Sequence, residues 1–369
     1  MKAIAVVPGT KTIRLVDRPE PVIASEDQIK LKVCRVGICG TDRDEAAGGR
    51  AKAPQGQSEL VIGHEMLGLV TDVGRAVTRV KPGDYAVFTV RRGCSKCLPC
   101  LMNRPDMCNT GDYLERGIWG LDGYQAEFVV DREQYVVKVP AALEPVAVLT
   151  EPMSVAEKAI AAAVQIQQAR LPDAPATPDW LFGRRCLVAG LGPIGLLAAL
   201  ALRLRGAEVF GLDIVDDGSE RPTWLKTIGG HYVDGRKVSA DKLTDQIGAC
   251  DVIFEATGIP LLAFDLIDAL ALNGAYVLTG IPFGDRPVQL SGGELIRRLV
   301  LGNQVMLGSV NAAPDHFHSA VNDLAHAYAR WGDHIQQLIT NRHDFTDFAG
   351  ALQHHDQAEI KTVVEWNQA

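Results

Sequence analysis

Four of the chain's eight cysteines fall within fifteen residues: Cys94, Cys97, Cys100 and Cys108, spaced C-x2-C-x2-C-x7-C. Turns this short can aim four thiolates at one point, so the segment is expected to fold around a tetrahedral zinc. The competing expectation, a pair of disulfides, belongs to small secreted scaffolds, and nothing else here looks like one. Four thiolates fill the coordination sphere, so such a site organises its loop and leaves no open position for a substrate. Arg91, Arg92, Lys96 and Arg104 surround the cysteines. They can offset the two negative charges that four thiolates and one Zn²⁺ leave behind, or form a solvated face.

A length of 369 residues suggests two domains. Hydrophobic residues make up 47% and charged ones 22%, ordinary globular usage. The net charge is -8 and no long basic run occurs, which argues against nucleic acid and anionic membranes as partners. The N-terminal stretch lacks the long apolar region and cleavage site of a signal peptide. The longest apolar stretch, 194–202, is too short to span a bilayer. Clustered cysteines without a secretion signal predict metal ligands in a reducing cytoplasm.

Residues 1 to about 140 read as mostly β. Short β-rich runs at 1–7, 29–37, 68–73 and 85–90 are broken by Pro8-Gly9, Gly48-Gly49 and Pro82-Gly83. Within this region Cys39-Gly40-Thr41-Asp42 is followed by Gly63-His64-Glu65. Cys39, His64 and Glu65 are good zinc ligands, and three protein ligands with an open position make a catalytic site. Adjacent His64 and Glu65 reach one ion only from a bend, which Gly63 permits. Each of the three taken alone has a plain structural reading; the cysteine tetrad nearby raises the metal reading. Thr41, two residues from Cys39, is placed either to pass a proton from a metal-bound hydroxyl or to cap a turn. Two more strands are expected at 124–130 and 135–139. Glu151 and Pro152 open an alanine-rich helix at 155–164, where a carboxylate is favourable as a cap. A loop with three prolines, 171–179, reads as a surface insertion.

A second domain begins with a buried strand at 185–189. Gly190-Leu191-Gly192-Pro193-Ile194-Gly195 follows at once and opens a helical run, 196–204. A lone G-x-G-x-x-G is weak, but strand before and helix after is the context a dinucleotide site requires. The next strand ends at Asp213, eighteen residues beyond Gly195. A carboxylate there accepts from the ribose hydroxyls of NAD and repels the 2′-phosphate of NADP, so NAD is expected over NADP. Further strands end at Thr257-Gly258 and Thr279-Gly280. Ligands bind outside the carboxyl ends of such strands, so Thr257, Gly258 and Gly280 are expected along the nicotinamide half. A last strand ends at Asn311. Residues 317–331 read as an amphipathic helix and 362–366 as a terminal strand.

Taken in order, GICGTD, GHE, the cysteine tetrad and GLGPIG resemble the zinc-dependent medium-chain dehydrogenases over nearly the whole chain. The likeness is closer to the archaeal-type glucose dehydrogenase branch. It is carried by Arg91-Arg92-Gly93-Cys94, Thr110-Gly111 with Glu115, Glu151-Pro152 with Glu157-Lys158, Gly308-Ser309-Val310-Asn311 and Glu359-Ile360-Lys361. The resemblance implies an α/β chain: a GroES-like β-rich catalytic domain with an inserted Rossmann domain, a doubly wound parallel sheet. It implies boundaries of 1–183 and 312–369 for the first, with a structural-zinc lobe at 91–110, and 184–311 for the second. It implies a catalytic zinc at Cys39, His64 and Glu65 with Glu151 nearby, and a structural zinc at the four lobe cysteines, two per chain. It also implies a homo-oligomer, tetramer or dimer.

The same resemblance implies substrate contacts at Thr41, Val90, Glu115, Glu151, Val155, Leu301 and Asn311, with Asn311 also near the cofactor. Val90, Val155 and Leu301 depart from it, standing where the glucose-oxidising members carry Asn, Asp and His. Losing three neutral hydrogen bonds, at about 0.5–1.5 kcal/mol each, weakens the hold on a sugar. Three expectations follow. One is a zinc-dependent enzyme moving hydride between a sugar, polyol or sugar-derived CH–OH, or the matching carbonyl, and NAD(P). Another is the same chemistry on a less polar or aromatic alcohol. The third, from another class, is a non-catalytic NAD-binding protein.

Overall fold

A computed structural model describes residues 1–172, 174, 178–282, 284, 287–353 and 358–366. Part of the proline-rich loop 171–179 lies outside the described residues. By contacts the chain forms two units, Met1–Ser154 with Asn311–Ala369, and Val155–Val310. The helix Thr150–Arg170 runs from one into the other. The stretch 155–183, given to the first domain on sequence, makes contacts within the second: Gln167 Nε2 donates to Asn273 O (2.7 Å) and Arg205 pairs with Glu157 (2.6 Å). Among the described residues no helix is long and apolar enough to cross a membrane.

The first unit is built on a seven-stranded sheet. Its order is Val136–Val139, Tyr85–Phe88, Glu65–Val73, Gln28–Ile38, Lys361–Glu365 and Ile339–Asp344, with Phe128–Arg132 also on Gln28–Ile38. The long central strand explains the layout. Ile29, Leu31 and Val33 alternate inward against Lys30 and Lys32, as one covered face requires. From Cys34 to Ile38 every residue is buried, because both faces are covered there. That fully buried end delivers Cys39. Its neighbours Glu65–Val73 and Lys361–Glu365 pair with it antiparallel, with Gly37 opposite both Glu65 and Val363. A three-stranded sheet, Ile13–Asp17, Lys2–Val6 and Leu60–Val61, leads into Gly63.

The second unit holds six parallel strands in the order His231–Asp234, Glu208–Asp213, Arg185–Ala189, Cys250–Glu255, Leu270–Leu278 and Val305–Gly308. In chain order this is 3-2-1-4-5-6, the doubly wound arrangement whose strand ends carry a dinucleotide. The helix Pro193–Leu204 is apolar almost throughout. Leu196, Leu197, Leu200 and Leu202 are fully buried, each contributing about 1.5–3 kcal/mol.

Candidate active site and metal centres

In the cysteine lobe the four Sγ atoms all lie within 4.8 Å of one another. Cys94 Sγ to Cys100 Sγ is 3.9 Å and Cys97 Sγ to Cys108 Sγ is 4.0 Å, and all four thiols are free. Sulfurs at 2.3 Å from one zinc in a tetrahedron stand about 3.8 Å apart, so the set fits zinc and not a disulfide. The backbone is shaped for it. Ser95 and Asn103 adopt positive φ, and a Cβ on Gly93 would stand 2.4 Å from Cys100 Sγ. Cys97 N–H donates to Cys94 Sγ (3.3 Å), and the Thr110 hydroxyl lies 3.3 Å from Cys108 Sγ. These donors help hold the Cys94 thiol down at about 5, with the Thr110 hydroxyl the largest cause.

A second donor set forms where the buried sheet end meets the helix Gly40–Ala46. Donor atoms of Cys39, His64 and Glu65 lie within 4.8 Å of one another, with His64 and Glu65 buried. Cys39 caps that helix: its Sγ accepts from Thr41 N–H (3.3 Å), while its own N–H donates to Asp42 Oδ2 (2.8 Å). The reciprocal pair is a capping box, and it fixes the direction of the thiol. Gly63 turns at φ 90, and a Cβ there would meet Gln125 Cγ at 2.6 Å. Asp42 Oδ1 lies 3.6 Å from His64 Nδ1. Burial works against a charged His64, but the Asp42 carboxylate and the Cys39 thiol outweigh it and raise its pKa. At this separation the pair is an electrostatic contact and not a hydrogen bond.

Lys361 completes the set. Its ammonium forms a buried ion pair with Glu65 Oε2. A Cβ at Gly37 would stand 2.1 Å from that oxygen, so a side chain on the strand there would push the pair aside. Glu151, in the first turn of its helix, is pushed up to about 7 by burial; the His64 charge opposes this and Glu65 adds to it. Its carboxylate therefore belongs to the same electrostatic cluster. Glu45, buried on the same helix as Asp42, is pushed up to about 10 by burial and then by Asp42. Sequence reasoning gave no function to Asp42, Glu45 or Lys361. The three-residue spacing of Cys39 and Asp42 is a capping signal that points to the first. Lys361 has no local signal, since it reaches Glu65 only through sheet pairing.

The remaining expected contacts divide. Glu115 is buried: its Oε1 accepts from Arg91 Nε (3.1 Å), Arg91 Nη2 (2.8 Å) and Asn311 Nδ2 (2.9 Å), and its Oε2 from Arg50 Nη2 (2.7 Å). Asn311 sits at φ 62, and its Oδ1 accepts from Ala312 N–H. Val90 is 1% exposed, and its carbonyl accepts from Arg116 N–H. Val155 is half-buried on its helix in the second unit. Leu301 ends the helix Gly292–Leu301 and is exposed beside Leu270 and Leu272. That is the start of the strand Leu270–Leu278, the opposite end from Gly280, so it is not brought to the carboxyl ends where ligands bind.

In the second unit the glycine loop has the expected form. Gly190 adopts φ 88, Gly192 caps the helix, and Pro193 occupies its first turn ahead of Ile194. A Cβ on Gly195 would stand 1.8 Å from Gly190 O, so only glycine lets loop and helix approach. Asp213 Oδ2 accepts from Leu191 N–H (2.8 Å) and Oδ1 from Ile214 N–H (2.7 Å), tying the loop to the next strand end. At the neighbouring ends buried Glu255 accepts from Thr257 N–H (2.7 Å) and Gly258 N–H (3.0 Å). Gly280 packs against Gly258, where a Cβ would meet Gly258 N at 2.2 Å. Glycines, helix start and terminal carboxylate together fit a dinucleotide.

Comparison with known proteins agrees with this geometry. The family described as "Alcohol dehydrogenase GroES-like domain" matches residues 25–141, and "Glucose dehydrogenase C-terminus" matches residues 144–366. Glucose 1-dehydrogenase 2 of Vulcanisaeta moutnovskia is 40% identical over 371 residues, 99% of each chain. Glucose 1-dehydrogenase 1 of Caldivirga maquilingensis is 40% identical over 372 residues, 100% of this chain and 99% of the other. Among solved structures, Haloferax mediterranei glucose dehydrogenase in complex with NADP, Zn and gluconolactone superposes with a TM-score of 0.88 at 32% identity, covering all of both chains. Since these likenesses run end to end and take in both units, the chain belongs to the zinc-dependent medium-chain dehydrogenases, in the archaeal-type glucose 1-dehydrogenase branch, and is an NAD(P)-dependent oxidoreductase acting on CH–OH donors.

Proposed function

We propose that this enzyme oxidises the anomeric CH–OH of an aldose to the lactone, passing hydride to NAD. The observation that carries the reading is the convergence of Cys39, His64 and Glu65 donors beside Thr41 at one helix start. Relatives named glucose 1-dehydrogenase, and one solved with gluconolactone, support the substrate class.

In this reading Cys39 and His64 hold a catalytic zinc with a carboxylate from Glu65 or Glu151, and the lobe cysteines hold a second, structural zinc. Bound there, zinc supplies Lewis acidity that lowers the pKa of the substrate hydroxyl. Thr41 carries the released proton outward through its hydroxyl. Asp42 keeps His64 and Cys39 in register for the metal, and Lys361 holds Glu65 in place. Glu115 and Asn311 face the sugar. Gly190, Gly192, Pro193, Ile194 and Gly195 seat the pyrophosphate, Asp213 takes the ribose hydroxyls and so favours NAD over NADP, and Thr257, Gly258 and Gly280 flank the nicotinamide half. The enzyme works in the cytoplasm as a homo-oligomer.

The test is a panel of aldoses, polyols and aryl alcohols with NAD and with NADP, read as formation of reduced cofactor. Aldoses with NAD are the expected best pair. Turnover confined to aryl or apolar alcohols would favour the less polar substrate class instead. One zinc per chain and no turnover with any of them would favour the non-catalytic protein.

A further inference from the structure

Positive charge is in excess around Glu115. Two guanidiniums, Arg91 and Arg50, share this one buried carboxylate. Arg91 is itself buried and stacks on Tyr113, its guanidinium carbon 4.0 Å from the ring centroid. Arg50 differs. Its side chain is 55% exposed, and one Nη donates to Glu115 Oε2 (2.7 Å). Beside it the half-exposed indole of Trp119 lies between two cations, Arg50 at 5.8 Å and Lys52 at 5.2 Å from the ring centroid. Lys52 is exposed, and among the described residues no carboxylate pairs with it. Counting Asp44, which accepts from Arg50 N–H, two acids stand against three cations, a local surplus of one in a chain whose net charge is -8.

The cluster rides on backbone tied to the segments that carry the zinc donors. Lys52 N–H donates to Ile118 O (3.2 Å) and Gly120 N–H to Lys52 O (2.8 Å), so Lys52 and Trp119 ride on paired backbone. Arg50 N–H donates to Asp44 Oδ2 (3.1 Å), on the helix that Cys39 caps. Gly117, two residues beyond Glu115, packs on Gly63, where a Cβ would meet Gly63 O at 2.3 Å. Gly63 immediately precedes His64. Both segments of the cluster are thus fastened to the segments that carry Cys39 and His64.

Two features set what such a surface prefers. An arginine fork with free N–H groups binds carboxylate and phosphate oxygens directionally, and a neighbouring lysine adds a point charge. We propose that Arg50 and Lys52, beside Trp119, form an anion subsite that takes the carboxylate or phosphate of an acidic sugar derivative while its carbinol is oxidised. This names a substrate class within the dehydrogenase reading above and rests on it. The reaction is unchanged: the substrate carbon loses hydride to NAD⁺, its hydroxyl loses a proton, and the lactone and NADH form.

The test is steady-state kinetics of the zinc-loaded enzyme with NAD on glucose, glucuronate and glucose 6-phosphate, which share the anomeric carbon. At least one anionic sugar is expected to exceed glucose in kcat/KM by about tenfold or more, mainly through KM, with the advantage shrinking at high salt. A lead by glucuronate identifies a carboxylate, and a lead by glucose 6-phosphate a phosphate. Arg50→Ala and Lys52→Ala should each cut that preference about tenfold, and Arg50→Lys should retain part of it, with folding checked by thermal unfolding. Equal or better use of glucose, or a preference that neither alanine variant changes, overturns the subsite and leaves the dehydrogenase reading standing. Absence of NAD reduction with any sugar or alcohol overturns that reading itself.

Discussion

Lys361 and Glu65 form an ion pair inside the first unit, with side chains only 2% and 3% exposed. Removing one partner of a buried pair strands the other charge, at a cost of about 3–5 kcal/mol. In the metal-free protein, where no zinc offsets Glu65, Lys361→Met should lower stability by that order, seen in denaturant unfolding. Adding Glu65→Gln to the same chain should recover a large part of the loss. If the double variant is no more stable than Lys361→Met alone, the pair is not what holds this end of the sheet.

The two cysteine-bearing sites should separate on substitution. Cys97→Ser removes one of four lobe sulfurs, so metal analysis should fall from two zincs per chain to one, with a lower unfolding temperature. Cys39→Ser should leave the lobe zinc and abolish turnover. Retained activity in Cys39→Ser would move the chemistry elsewhere.

Asp131 gives a pH signature of folding. It lies between Arg92 (2.6 Å) and Arg116 (2.6 Å), and although burial opposes ionisation, the two guanidiniums hold its carboxyl down at about 2. A folded pKa below the unfolded value stabilises the fold above the unfolded pKa, near 3.9, and the benefit disappears as pH falls toward 2. Asp131→Asn should therefore cost about 2–3 kcal/mol near neutral pH. The gap to the parent chain should close between pH 4 and 2, measured by urea unfolding across that range.

Asp213 should set the choice of cofactor. On the proposed preference for NAD, Asp213→Ser removes a charge that would repel a 2′-phosphate. The kcat/KM ratio of NAD to NADP should fall about tenfold or more. An unchanged ratio would place cofactor choice outside this carboxylate.

What was legible in the chain follows how local each signal is. The dinucleotide loop was readable because Gly190, Gly192, Gly195 and Asp213 sit on consecutive elements, each with its own period. The lobe was readable because four thiolates lie within one loop. The strand Ile339–Asp344 was not anticipated: ITNRHD has no apolar run, and it is fixed by pairing with Lys361–Glu365. The same limit hid Lys361, whose role exists only once the last strand lies against Gln28–Ile38. Likeness to relatives points to Leu301 as a substrate contact, and the fold places it at the far end of its neighbouring strand. Glu115 was expected to meet a sugar; the two guanidiniums on its carboxylate emerge only from the fold.

In the proposed mechanism the chemistry occurs at a zinc held by Cys39 and His64. The most direct measurement follows metal content and NAD reduction together as the enzyme is stripped with a chelator and reloaded with zinc. Activity should track the second zinc per chain, vanishing with it and returning on reloading. Full NAD reduction by a metal-free preparation would contradict the account.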